Sequence, residues 1–260
     1  MFNNSQSVGT DKDRNVKFSI IIPAYNEEKL IGRCLNSILA ASAPYQDQME
    51  VIVVLNRCTD RTEEIARSYN CVIVKEDSKN MSIIRNAGAK VARGEIIATI
   101  DADSQMTDNV LTEIEEKLLT GKYIGGGVRM KSERFSLGIL LSVLILIPIL
   151  IKYKGVSAGI FWCYKKDFEA INGFNENLRM LEDVEFGFRL KQWGQKCGKE
   201  YGTITKAQMI LSMRKCDTLG DWFFFKHPIW ILAYLKGNVE KYADEQFYDL
   251  RENYKEKFYD

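Results

Sequence analysis

The stretch GEIIATIDADSQMTDNV, residues 94–110, decides how the chain is read. Its apolar run, Ile96-Ile97-Ala98-Thr99-Ile100, ends in two carboxylates, Asp101 and Asp103, with Ala102 between them. A short run rich in Ile and Thr predicts a buried strand. Charges at the end of such a strand stand where α/β proteins place their ligands. An ordinary account is also open, in which both aspartates are solvated turn residues and Asp103 or Ser104 starts the next helix. The rest of the chain must decide.

Working outward, VKFSIIIPAY (16–25), MEVIVVLN (49–56), CVIVKE (71–76) and GEIIATI (94–100) read as strands. Between them lie helical segments. NEEKLIGRCLNSILAA places apolar residues at 30, 31, 34, 35, 38 and 39 on one face, with Asn26 as the expected N-cap. TDRTEEIARSY opens with cap residues and first-turn acids, and MSIIRNAGAKVAR follows as a third helix. The alternation predicts an α/β fold with a doubly wound, mostly parallel central sheet flanked by helices over residues 16–103. Beyond the helix TDNVLTEIEEKLLTG the alternation breaks down, with strands expected in KYIGGGVRM and GVSAGIFWCYKK and a helix over 182–194. Residues 1–15 are polar and expected to be disordered. One domain is expected over 16–216, divided into a nucleotide-binding half (16–103) and an acceptor-side half (104–216), with aromatic-rich C-terminal helices over 217–260.

Composition limits the function. Lys+Arg and Asp+Glu stand at 36 and 35, so no global field points to nucleic acid, and any basic site must be local. Six cysteines without a C-x-x-C pair, and no signal peptide, read as reduced thiols in a cytoplasmic protein. The single histidine, His227, excludes a His-rich zinc site. LGILLSVLILIPILI (137–151) carries no charge but falls short of the roughly 20 residues that cross a bilayer. With DWFFFKHPIWILAYLKG (221–237) it suggests peripheral contact with the inner face of a cell membrane, or else core packing.

The chemistry-bearing residues gather at strand ends. Pro23 is expected to stop the first strand and display Ala24, Tyr25, Asn26 and Glu27. The Tyr25 face can stack on a base, and Glu27 can accept from ribose hydroxyls or base N–H groups. Asn56 ends the second strand at the same edge. Arg85, in IIRNAG, is either an ordinary surface Arg or a guanidinium held to neutralise a diphosphate with bidentate hydrogen bonds. In an extended strand Asp101 and Asp103 would lie roughly 6.5–7 Å apart, too far to grip one ion unless the chain turns sharply. A division of labour follows, with Asp101 on sugar hydroxyls and Asp103 on a divalent cation.

FSIIIPAYNEE, NRCTDRT, IRNAG, DADS, INGFNE and EDVEF occur in the order and at about the spacing of family 2 glycosyltransferases of the GT-A fold. The chain resembles that family from residue 17 to about 194. The resemblance implies a nucleoside-diphosphate sugar donor, UDP- or GDP-linked, bound with Mg²⁺ or Mn²⁺ across Pro23 to Glu27, Asn56, Arg85 and Asp101–Asp103. It implies a glycan, lipid-linked or small-molecule acceptor and inversion at the anomeric carbon, in cell-envelope glycan or glycolipid synthesis. Asp101 and Asp103 match the D-x-D pair, and Asp183, beside Glu182, matches the general base. His227 matches a C-terminal metal ligand of some relatives. Asn56 departs from the Asp that often reads the base, which leaves uridine and guanosine donors both open. The rival readings are an inactive nucleotide-sugar binding module and a sugar-1-phosphate nucleotidyltransferase.

Overall fold

A computed structural model describes residues 15–145, 159–179 and 181–222. The expected N-terminal tail, most of the apolar stretch after 145, His227 and the C-terminal helices beyond 222 lie outside the described residues. Eight strands form one sheet in the order β3-β2-β1-β4-β7-β6-β8-β5. The first four are β1 (Phe18–Ala24), β2 (Met49–Leu55), β3 (Val72–Lys75) and β4 (Ile96–Thr99), all mutually parallel. They alternate with α1 (Ile31–Ala41), α2 (Thr62–Ser68) and α3 (Met81–Val91). This half is the doubly wound unit predicted from the alternating patterns.

The second half turns the sheet antiparallel. The short β5 (Gln105–Met106) and α4 (Val110–Leu119) lead into β6 (Tyr123–Ser132), then α5 (Leu137–Ile145). β7 (Phe161–Tyr164) runs antiparallel to both β4 and β6, and joins the two halves. α6 (Lys165–Ala170), α7 (Glu182–Lys196), β8 (Glu200–Leu211) and α8 (Arg214–Leu219) complete the described chain. β8 lies parallel to β6, and β5 closes the edge against β8. Gly126 lets the last two long strands meet, because a Cβ there would overlap the Gly202 carbonyl. β5, α6 and β8 were not anticipated.

The core has one layer on each face of the sheet. Ile20, Ile22, Val53 and Ala98 pack with Ile31, Leu35 and Ile38 of α1 and with Val110 and Ile114 of α4. On the other face Ile21, Val54 and Ile97 meet Ile84 of α3, and Phe161, Phe174 and Phe186 meet Leu190 of α7. The α1 stripe is buried as expected at 31, 34, 35 and 38, but Leu39 faces solvent. Gly88 allows α3 to lie close on the sheet; a Cβ there would come 2.6 Å from Ile21 Cγ2 and 2.9 Å from Val54 Cγ2.

Two local expectations are corrected. Pro23 does not stop β1, which continues to Ala24 and stays in register with β2. The Ile21 carbonyl accepts from Ile100 and the Ala24 carbonyl from Asn56, so alternation turns Pro23 toward β4. β4 has ended by that level, and the missing N–H interrupts no ladder. Asn26 is not the cap of α1, whose N-cap position is Leu30. Its backbone is left-handed (φ 51°), a conformation Asn tolerates better than most residues. Its Oδ1 instead accepts from the Thr59 amide at 2.8 Å.

Candidate active site

The carboxyl ends of β1, β2 and β4, the start of α7 and the start of α8 converge on one edge of the sheet. The β1–α1 and β2–α2 loops are laced together there. The Glu27 amide donates to Thr62 Oγ1 at 2.8 Å, and the Thr62 hydroxyl donates to Asp60 Oδ1 at 2.6 Å. Asp60 Oδ2 accepts from the Glu28 amide. The Arg57 guanidinium lies over the Tyr25 ring, 5.2 Å from its centre. Asn56 is buried, and its Nδ2 donates to the carbonyls of Glu76 and Ser78 at 2.5 and 2.9 Å. That amide is fixed by the loop after β3, and its Oδ1 accepts from Arg57.

The paired aspartates do not lie along an extended strand. β4 ends at Thr99, and the chain turns at once, with the Ser104 amide donating to the Asp101 carbonyl at 3.0 Å. The carboxylates find separate partners. Asp101 Oδ1 accepts from Arg85 Nη2 at 3.1 Å, while Asp103 Oδ2 lies 3.5 Å from Arg214 Nη2. Cys34 sits beneath this turn, and burial, with Asp103 and Asp101 nearby, pushes its thiol well above the usual value. An inert thiol results.

Arg85 is a buried cation joining three elements. From α3 it reaches Asp101 after β4, donates to Glu182 Oε1 at 2.8 Å, and stands 5.3 Å from the Phe174 ring centre. The turn in INGFNEN is held from both sides. Asn86 accepts from the Phe174 amide and donates to its carbonyl, both at 2.9 Å, and Arg189 Nη2 donates to the Gly173 carbonyl at 2.8 Å. Phe174 and Phe186 stack with centroids 4.3 Å apart. The rigid turn fixes where α7 begins, and Leu181 enters it with φ 59°. A left-handed Leu costs on the order of 1–3 kcal/mol and persists where surroundings over-determine it. It delivers Glu182 and Asp183 to Arg85.

Burial raises the pKa of both acids. Glu182 is pushed up to about 7 by desolvation, against the pull of Arg85 and with the help of Asp183. Asp183 is raised by burial and by Asp101, again opposed by Arg85. One guanidinium among three carboxylates cannot neutralise them all, so the pair holds a proton more readily than ordinary carboxylates do.

Sequence reasoning missed Arg214. It grips Glu27 with a fork of two hydrogen bonds, 2.8 and 2.9 Å, and both side chains are largely buried. No motif in SMRKCD signals it; only the end of β8 opposite Glu27 reveals it. His227 lies outside the described residues. Among the described residues, no three His, Cys, Asp or Glu side chains cluster to hold a metal. The donor chemistry still fits a hard cation, since Mg²⁺ takes one or two carboxylates plus substrate phosphates. Asp103 offers one, and its contacts to Ser104 and Arg214, at 3.4 and 3.5 Å, are long.

This fold, with acids and arginines at the carboxyl edge of its parallel strands, is that of the GT-A glycosyltransferases. The sequence model described as Glycosyl transferase family 2 matches residues 19–167, and the chain belongs to that family. It is 25% identical over 244 residues to the minor teichoic acid biosynthesis protein GgaA of Bacillus subtilis, covering 83% of this chain and 52% of that protein. It is 34% identical over 103 residues to the poly(ribitol-phosphate) beta-glucosyltransferase of Bacillus spizizenii, 37% of this chain and 16% of that protein. It is likewise 34% identical over 91 residues to the glycosyltransferase AglE of Haloferax volcanii, 33% of this chain and 30% of that one. The chain thus spans about half or less of the length of these relatives. Among solved structures, S. aureus TarS 1–349 in complex with UDP-GlcNAc superposes with a TM-score of 0.61 at 23% identity, over 76% of this chain and 58% of that one. The mannosyltransferase PcManGT of Pyrobaculum calidifontis, in complex with GDP-Man and Mn²⁺, gives 0.58 at 19% identity, over 78% and 59%.

Proposed function

We propose that the chain transfers a glycosyl group, with inversion, from a nucleoside-diphosphate sugar to an acceptor hydroxyl. The observation that carries this reading is the convergence of Asp101, Asp103, Arg85 and Glu182-Asp183 at the end of β4, within a family 2 chain. Residues 16–103 hold the nucleotide. Tyr25 packs against its base, Glu27 and Asp101 accept from its hydroxyls, and Asn56 shapes the base pocket from behind. Asp103 would hold Mg²⁺ or Mn²⁺ together with donor phosphate oxygens, and such a cation supplies charge that stabilises the departing diphosphate. Residues 104–216 present the acceptor. Asp183 takes the proton of the attacking hydroxyl, a step that typically contributes about 10²–10⁴-fold. Glu182 and Arg85 orient that carboxylate. UDP-GlcNAc and GDP-Man, the donors in complex with the superposed TarS and PcManGT, carry the two bases left open by Asn56.

A cell-envelope acceptor is supported by the names of the teichoic acid relatives. A membrane-surface setting is supported by Phe135, Leu137, Leu140 and Leu144, all exposed on or just before α5, with exposed Trp222. No helix among the described residues is long and apolar enough to cross a membrane. Titrating the chain calorimetrically with UDP and GDP in Mn²⁺, followed by transfer assays with the sugar conjugates of whichever binds, tests the reading. Binding and transfer of the sugar with inverted configuration are expected. Absence of nucleotide binding overturns the reading, and binding without transfer or hydrolysis favours the inactive binding module.

A further inference from the structure

We propose that Arg214 is a diphosphate-binding residue, held on Glu27 and Asp103 before the donor arrives and handed from Asp103 to the donor's β-phosphate when a cation takes that carboxylate. The inference rests on the glycosyltransferase reading and assigns a further residue to its site. Three observations carry it. First, Arg214 grips Glu27 at 2.8 and 2.9 Å, and this fork fixes the plane of the guanidinium. Its contact to Asp103 is 3.5 Å, long for a charge-assisted bond and therefore the one easily exchanged.

Second, Arg85 is committed elsewhere. It holds Glu182 at 2.8 Å and Asp101 at 3.1 Å, so turning it onto a phosphate would strip the buried Glu182 of its cation. Third, the backbone that carries Arg214 is anchored independently. Arg134, just before α5, donates to Asp217 at 2.7 Å and to Asp221 at 2.6 Å, which pins α8 while the Arg214 side chain changes partner. The charge balance is simple. An Asp103–Arg214 pair is exchanged for Asp103 on the cation and Arg214 on phosphate, and no covalent bond changes.

Binding on the full chain tests this without an activity readout. UDP, GDP, UMP and GMP are titrated into wild type, Arg214→Lys and Arg214→Gln with Mn²⁺, and into wild type and Asp103→Asn without metal. Arg214→Gln should weaken the preferred diphosphate by about 10- to 100-fold and leave the monophosphate unchanged, with Arg214→Lys between. Asp103→Asn should bind the diphosphate more tightly than wild type in the absence of metal, because Arg214 is no longer held back. Should Arg214→Gln fail to fold with Glu27 unpaired, the Arg214→Lys variant, which keeps a cation on Glu27, carries the same comparison. Equal diphosphate affinity across the variants, or equal loss of mono- and diphosphate, overturns the proposal and leaves Arg214 a structural staple. Failure of wild type to bind any diphosphate overturns the glycosyltransferase reading as well.

Discussion

Arg85 and Glu182, 97 residues apart in the chain, meet in a buried ion pair at 2.8 Å that ties α3 to the first turn of α7. The pair sets the electrostatic state of the neighbouring Asp183. With burial raising both acids, Glu182 to about 7, the protonated form persists to higher pH than in an ordinary carboxylate. A general base works deprotonated, so kcat/KM should rise with pH through an acidic limb that lies above the ordinary aspartate range. Removing a like charge lowers the pKa of what remains, and Glu182→Gln should therefore move the limb to lower pH. A profile flat from pH 5 to 8 would refute the assignment.

Asp183→Asn keeps the shape of the side chain and removes its basicity. Transfer should fall by about 10²–10⁴-fold, while affinity for the nucleoside diphosphate stays at the wild-type value. Single-turnover rates beside calorimetric affinities separate the two effects. A variant that turns over like wild type removes Asp183 from the mechanism.

Asp103→Ala should abolish the tightening of nucleotide binding by Mn²⁺ and leave thermal unfolding nearly unchanged, because its contacts to Ser104 and Arg214 are long, at 3.4 and 3.5 Å. Titration with and without the cation, beside a melting curve, is the check. Undiminished Mn²⁺ dependence would put the cation elsewhere.

The legible part of this molecule was the half in which helices and strands alternate strictly. β1, β2, β4 and the helices α1 and α3 follow the apolar periods, because β1 and β4 are buried on both faces, β2 nearly so, and each of these helices on one stripe. The acids at the end of β4 were legible for the same reason, since charges after a buried run stand out. β8 was not. Its twelve residues mix exposed and buried positions irregularly, and register shifts against β6 blur any period of two. Arg214 follows from β8 and was hidden with it. The turn at Asp101 stayed an open alternative, because an extended and a turned D-A-D look alike until Ser104 donates back to residue 101.

Glu50, at the start of β2, offers a stability test away from the site. Burial alone would raise its carboxyl, but hydrogen bonds from Ser19 and from the Arg93 amide and guanidinium outweigh that and hold it below the usual value. A depressed carboxylate contributes stability above its unfolded value and loses it as pH falls through the folded one. Wild type should therefore lose stability as pH falls below the ordinary glutamate range of about 4.3, and Glu50→Gln should flatten that part of the curve. At neutral pH the variant should be less stable by about 1.5–3 kcal/mol. Urea titrations across pH 3–7 read both effects, and parallel curves for the two proteins would show that Glu50 carries none of the acid sensitivity.

Gly88→Ala tests whether the nucleotide edge depends on how closely α3 approaches the sheet. The added methyl would meet Ile21 and Val54 side chains at 2.6 and 2.9 Å, under van der Waals contact. Overpacking of this kind costs about 1–3 kcal/mol and shifts backbone. Arg85 lies one turn earlier on the same helix, so lifting α3 draws its guanidinium away from Asp101 and Glu182. The expected result is a lower melting temperature together with weaker nucleotide binding. Ala at Ile83, only partly buried on the same helix, serves as control and should change binding little. If Gly88→Ala lowers stability but binds nucleotide like wild type, the position of Arg85 is not set by helix–sheet spacing, and the clasp across Asp101 and Glu182 must hold it unaided.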